Sequence, residues 1–189
     1  MRDYVLGTPK TVEELVLAAQ NMGFTELVLL AEPKNAVLLH AVKEDLVKKT
    51  KIKLLFGIVA QNKAQIPKKH EFDVVVKLGT SEKEVFDGLT HVLDVEFDKE
   101  KDFVHQRRSG LNHVLLAEYK KKGVSLLFGF AKLQYLSSSR QAQILGRVMQ
   151  NVQLCQKQTV SYDACSFASK PEELRDAKDV AALARTLGL

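Results

Sequence analysis

The chain has 189 residues, 46% hydrophobic and 27% charged, enough for one domain with a sizeable core over residues 1–189. Its 28 lysines and arginines outnumber 23 aspartates and glutamates, and a pI near 9.1 points to nucleic acid or an anionic surface as partner. Apolar runs such as Leu27 to Ala31 are too short to cross a bilayer, no signal-peptide-like run follows Met1, and Cys155 and Cys165 make no disulfide framework. The expectation is a cytoplasmic protein with two reduced thiols and no membrane partner.

Met1 to Leu6 reads as a short extended piece. Thr11, with Glu14 three residues on, predicts a capped helix whose stripe is Leu15, Val16, Ala19 and Met22, stopped by Gly23. Leu27 to Leu30 is a strand, Asn35 to Lys49 a second helix ending in two lysines, and Ile52 to Ala60 another strand. A polar, basic stretch with Lys63, Lys68, Lys69 and His70 leads to a strand over Asp73 to Leu78. Ser81 to Phe86 reads as a short helix opened by Ser81 and Glu84, and Thr90 to Phe97 as a strand. Leu111 to Lys122 is a helix ended by Gly123, followed by a strand over Val124 to Phe128. Ser137 to Ser139 supply a cap for a long helix, Arg140 to Gln156; Val160 to Cys165 is the last strand and Ala177 to Leu187 the last helix.

Strand and helix thus alternate about seven times, and the strands are apolar runs rather than alternating patterns. That is the mark of a parallel sheet covered by helices. Leu54-Leu55-Phe56-Gly57 recurs as Leu126-Leu127-Phe128-Gly129, and repeated strand-helix units favour a compact TIM-like (β/α) barrel over an open sheet.

Charge is unevenly spread. Between Gln106 and Lys157 nine basic residues face one acidic residue, Glu118, a net of +8, while the rest of the chain is at −3. A basic excess confined to one segment is the footprint expected for binding a polyanion. On the long helix, Leu145, Val148, Met149, Val152 and Cys155 form an apolar face. Arg140, Gln143, Arg147, Gln150 and Asn151 lie opposite, suited to phosphate and sugar or simply to water. Lys120, Lys121 and Lys122 fit a helix C-terminus as readily as a binding site. Arg107 and Arg108 stand in a loop that no periodicity demands. His113 lies one turn into its helix, where a structural hydrogen bond is the simpler role.

Catalytic constellations are sparse. The five histidines, His40, His70, His91, His105 and His113, form no His-x-His or His-Glu-x-x-His, and no phosphate loop follows Gly123 or Gly129. Asp94, Glu96 and Asp98 near a strand end fit a hydrolase pair or a polar strand exit.

The run Gly110-Leu111-Asn112-His113-Val114-Leu115 resembles the Gly-Ile/Val-Asp-His-Val-Leu signature of the archaeal ribonuclease P protein component 3 family, shared with a eukaryotic subunit of that enzyme. Lys121-Lys122-Gly123-Val124, Gly129-Phe130, the long basic helix, Ser166-Phe167-Ala168, Arg175 and Asp179 follow in the same order. Similarity covers roughly Gly110 to Gly188, and the earlier half only as a strand-helix pattern. The departures are Asn112 for Asp, Gln141 for Arg with Arg140 adjacent, and no Arg-Pro after Gly129-Phe130, where Lys132 and Gln134 stand nearby.

The resemblance implies a barrel related to the polymerase-and-histidinol-phosphatase (PHP) metallo-barrels but without their metal ligands. It implies a subunit of ribonuclease P, the endoribonuclease that removes the 5′ leader from precursor tRNA. The RNA component would hold the catalytic Mg2+, and this chain would bind and steady that RNA with no cofactor or catalytic residue of its own. A small ferredoxin-like protein subunit is the implied partner, in a heterodimer or heterotetramer. The implied RNA contacts are His113, Lys122 and Arg175, joined on charge and position by Arg107, Arg108, Arg140 and Arg147. The rival reading is a metal-dependent phosphoesterase on a PHP-like barrel using Asp94, Glu96 and His105.

Overall fold

In the computed structural model, each of the seven apolar runs pairs with the next. The strands β1 (Arg2–Leu6), β2 (Glu26–Ala31), β3 (Lys53–Val59), β4 (Val74–Leu78), β5 (His91–Leu93), β6 (Ser125–Gly129) and β7 (Tyr162–Cys165) lie in chain order, every neighbouring pair parallel. The structure describes all residues except 68–71, 80–84, 98–100, 103, 104 and 106, and the side chain of His40. The start of the expected Ser81 to Phe86 helix, with Lys68, Lys69, His70 and Asp98, lies outside the described residues.

The sheet curves until its two edges meet. Val5 and Ala168 form a parallel bridge, the Leu6 N–H donates to the Ala168 carbonyl at 2.8 Å, and the Phe167 N–H donates to that of Tyr4 at 2.9 Å. The result is a nearly closed TIM-like α/β barrel. At this seam the buried Asp3 carboxylate accepts from the Ser166 N–H (2.7 Å), the Ser166 hydroxyl (2.6 Å) and the Tyr4 N–H (2.8 Å). Burial pushes its pKa up to about 6 against those donors.

Period-two alternation sorts each strand into two layers. Tyr4, Val28, Leu30, Val76, Leu93, Leu127 and Phe167 fill the barrel. Val5, Leu29, Ile58, Val92, Leu126 and Phe128 point outward under the helices α1 (Val12–Asn21), α2 (Pro33–Ala41), α3 (Lys43–Lys49), α4 (His113–Lys122), α5 (Ser138–Gln158) and α6 (Ala177–Leu187). The crossover from β3 to β4 shows, where described, only a 3-10 turn at Lys63–Gln65, which helps explain how 189 residues suffice. Among the described residues no helix is long and apolar enough to cross a membrane.

Three local expectations are corrected. The Thr11 cap does not form: its hydroxyl bonds to Thr8, whose carbonyl already receives the N–H groups of Thr11 and Val12. The helix expected over Asn35 to Lys49 is two helices broken at Val42, the second turned so that Lys49 meets Glu13 of α1 at 2.8 Å. The strand expected over Thr90 to Phe97 stops at Leu93. Asp94 turns left-handed (φ 63°) and Val95–Phe97 forms a 3-10 turn, which carries the Glu96 carbonyl to Arg147.

Candidate nucleic-acid interface

Parallel strands put every strand-to-helix loop at one end of the barrel, and this sorts the candidate residues. Arg107, Arg108, His113, Arg140 and Arg175 all precede or begin α4, α5 or α6, so they share that end. Lys122 closes α4 and belongs to the opposite end, about 15 Å away at ~1.5 Å per helical residue. Arg147 belongs to neither, because it is interior.

The start of α4 is built by the motif that opens it. Gly110 has φ 87°, and a side-chain carbon there would stand 2.3 Å from the Val95 carbonyl oxygen, so the backbone packs where only glycine fits. Asn112 caps the helix, its Oδ1 accepting from the Leu115 N–H at 2.8 Å. His113 is the first helical residue rather than one turn in, and it is exposed.

The polar face of α5 was expected to meet phosphate and sugar or water; the structure corrects both for its buried part. Arg147 and Asn151 are both 0% exposed. The Arg147 Nε donates to Asp102 Oδ1 at 2.8 Å and its Nη1 to the Glu96 carbonyl at 2.7 Å. Asn151 donates to the Ser109 carbonyl at 2.9 Å, and Gln150 to the Ser109 hydroxyl at 3.3 Å. Asp102 also takes the Arg108 N–H at 2.8 Å and the Gln143 amide at 3.1 Å. Burial pushes the Asp102 carboxyl up, but these donors outweigh it and hold it below its ordinary value. The face therefore clasps the loop leading to α4, and a buried Arg147 has no surface to offer a phosphate.

What the clasp presents is Arg107 and Arg108. Both are exposed, and Arg107 lies across α5 at Gly146, where an added side-chain carbon would come 2.8 Å from its Nε. Arg140, half-buried, bonds to Gln143 one turn on. Arg175 is exposed yet held by three acceptors: the carbonyls of Glu172 (3.0 Å) and Leu174 (2.7 Å) and Oε1 of Gln134 (2.7 Å). Lys122 donates to the Val85 carbonyl and approaches Asp87 and Glu118 at 3.8 and 4.0 Å. Lys120 reaches the Thr159 hydroxyl at 2.7 Å, so part of the lysine triplet ties α4 to its surroundings.

The barrel mouth holds a feature that sequence reasoning missed. Lys132 pairs with the buried Asp94 carboxylate, its ammonium 5.6 and 5.8 Å from the ring centres of Phe97 and Phe167. Asp94 and Glu96 are buried while His105 is exposed, and among the described residues no three His, Cys, Asp or Glu side chains converge to hold a metal ion. Asp102, the centre of the clasp, was also missed. Its signal was an acid six residues before Arg108 at the border of a segment otherwise almost free of acids.

No family model and no curated protein matches this sequence. Solved structures do match. A chain in the cryo-EM structure of archaeal ribonuclease P with mature tRNA superposes with a TM-score of 0.76 over 97% of this chain and 82% of that one, at 16% identity. The likeness is one of fold. The crystal structure of an uncharacterised protein gives a TM-score of 0.56 at 7% identity, over 99% of this chain and 69% of that one.

Proposed function

We propose that this chain is a protein subunit of ribonuclease P, binding and stabilising the RNA that cleaves the 5′ leader from precursor tRNA. The observation that carries the reading is the clasp, in which a buried arginine, three amides and a carboxylate hold the loop that exposes Arg107 and Arg108. Arginine forks on a fixed loop suit phosphate oxygens, which position a protein on RNA without reading its sequence. The fold shared with a chain of archaeal ribonuclease P supports the same reading. Within it, the Mg2+ ions belong to the RNA, and this chain supplies no catalytic residue and holds no cofactor. The small ferredoxin-like subunit is the protein partner, the setting is the archaeal cytoplasm, and Arg107, Arg108, His113, Arg140 and Arg175 form the RNA face. Lys122 contributes from the other end of α4, and Arg147 acts only by holding the loop.

Reconstituted precursor-tRNA cleavage tests the proposal. With the double variant Arg107→Glu, Arg108→Glu, cleavage at limiting protein drops while the circular dichroism spectrum stays that of the unaltered protein. Undiminished cleavage sinks the assignment. The rival metal-dependent phosphoesterase gains nothing from the geometry, since Asp94 is engaged with Lys132 and His105 stands apart in solvent.

A further inference from the structure

Beside Arg175 lies a cavity of about 250 Å³ that the RNA-face reading does not use. It opens between the 3-10 turn after β6 (Ala131–Tyr135), α5 and α6, with an apolar lining of Phe130, Leu133, Leu145, Val180 and Leu183. It is smaller than the ~300–1,000 Å³ of pockets that enclose drug-sized ligands, so it suits one planar group rather than a whole cofactor. Two features say which group, one bonded to a lining residue, Glu173, and one in the lining itself.

The first is Tyr135, 66% exposed although it is a large aromatic. Its hydroxyl donates to Glu173 at 2.9 Å, which fixes the ring while leaving it open to solvent. The second is the Arg175 guanidinium, which lines the cavity and is locked in one plane by its three acceptors. The neighbouring Glu173 carboxylate is already engaged by the Ser169 N–H (2.7 Å), the Ser169 hydroxyl (2.9 Å) and Tyr135, leaving about one of its four lone-pair sites. An aromatic ring and a guanidinium plane, each tied to the wall of one apolar slot, are the chemistry on which unpaired bases stack, and the slot accepts the edge of a base turned out of its helix.

We propose that this slot takes a single unpaired nucleobase of the bound RNA, stacked on Tyr135 and Arg175, with Arg175 also facing the adjoining phosphate. The site lies at the same end of the barrel as Arg107 and Arg108, so a single RNA can meet both. The proposal rests on the RNA-face reading, and the test separates the two.

Equilibrium binding is measured with the purified full chain, using a single-stranded oligonucleotide carrying one 2-aminopurine and a blunt duplex of the same sequence. Expected are tighter binding of the single strand and quenching of 2-aminopurine on stacking. Tyr135→Ala should raise the single-strand Kd by at least about fivefold and abolish quenching, while Tyr135→Phe, which keeps the ring but not its bond to Glu173, recovers quenching and most of the affinity. The exposure of Tyr135 means the alanine variant loses little packing, and its thermal melt controls for folding. If Tyr135→Ala binds like the unaltered chain while Arg107→Glu, Arg108→Glu weakens binding, the slot is overturned and the RNA face stands. If neither change matters, both readings fall. If Tyr135→Ala instead weakens only association with the small protein subunit, the slot holds a protein side chain and this assignment is wrong.

Discussion

Removing Arg147 should unfold the loop that carries the RNA-facing arginines, and the structure sets the size of the effect. Arg147→Ala deletes, among the bonds to described residues, one from a fully buried guanidinium to the Asp102 carboxylate and one to the Glu96 carbonyl. Breaking a buried ion pair by removing one partner costs ~3–5 kcal/mol when the other is left dry. Asp102 keeps 26% side-chain exposure and can be rehydrated, which places the expected loss at the lower end, about 3 kcal/mol. Against a total of about 5–15 kcal/mol, urea unfolding followed by circular dichroism should show a midpoint lowered by about 1 M or more. Arg107→Ala, at an exposed position, should change stability by no more than about 0.5 kcal/mol. A stable Arg147→Ala protein that loses RNA affinity would refute the clasp and return Arg147 to the RNA surface.

Gly110→Ala forces a side-chain carbon against the Val95 carbonyl at a left-handed backbone, and its thermal melt should report a loss of about 2 kcal/mol or more. Each neutralised phosphate steepens the fall of log K with log salt by about 0.7–0.9, so Arg107→Glu, Arg108→Glu should flatten the slope for RNA by about 1.5 in a filter-binding titration. Stability against pH carries two opposed signals. Asp3 is raised from 3.8 to about 6, chiefly by burial, so its contribution is full below 3.8 and lost as pH rises through 6. His91 is lowered from 6.5 to about 4 by burial and then Arg2, so its contribution is full above 6.5 and lost as pH falls through 4. Asp3→Asn removes the first signal alone, and denaturant midpoints between pH 4 and 6.5 should then rise steadily with pH.

The barrel was legible because burial on both faces leaves a continuous apolar run, and all seven runs are strands. Register and closure were not written that way. Asp3 reads as one polar residue in an extended piece, and only its meeting with Ser166, 163 residues later, shows it to be a seam bond. The clasp was misread for a related reason. The spacing of Arg140, Gln143, Arg147 and Gln150 says that they share a helix face, and periodicity then assigns that face to the surface, for water or for phosphate and sugar. Nothing local distinguishes water from a polar loop supplying a carboxylate and carbonyls, because the loop packs there through its own backbone acceptors. Arg107 and Arg108 were singled out as binding candidates because no pattern claimed them, and both are exposed.

The mouth of the barrel explains why an interaction surface should lie on its rim. In barrels of this kind reacting groups sit at the C-terminal ends of the strands, where loops leave the axis open. Here Phe167 fills the top of the interior, and the Asp94 carboxylate above β5 is taken by the Lys132 ammonium, itself set beside two rings. A cation fixed in a partly buried site, with its counter-charge and aromatic faces supplied, leaves little attraction there for a further cation. Among the exposed cations near that end, Arg107, Arg108 and Arg175 stand outward of the mouth, on the loop before α4 and the turn before α6. Lys132→Ala removes the ammonium paired with the buried Asp94, and thermal melts with Mg2+ or Mn2+ then test whether that ammonium excludes metal from the axis. If that variant gains thermal stability from Mg2+ or Mn2+ while the unaltered chain does not, the ammonium is what keeps metal from the axis; equal responses from both proteins would show that it plays no such part.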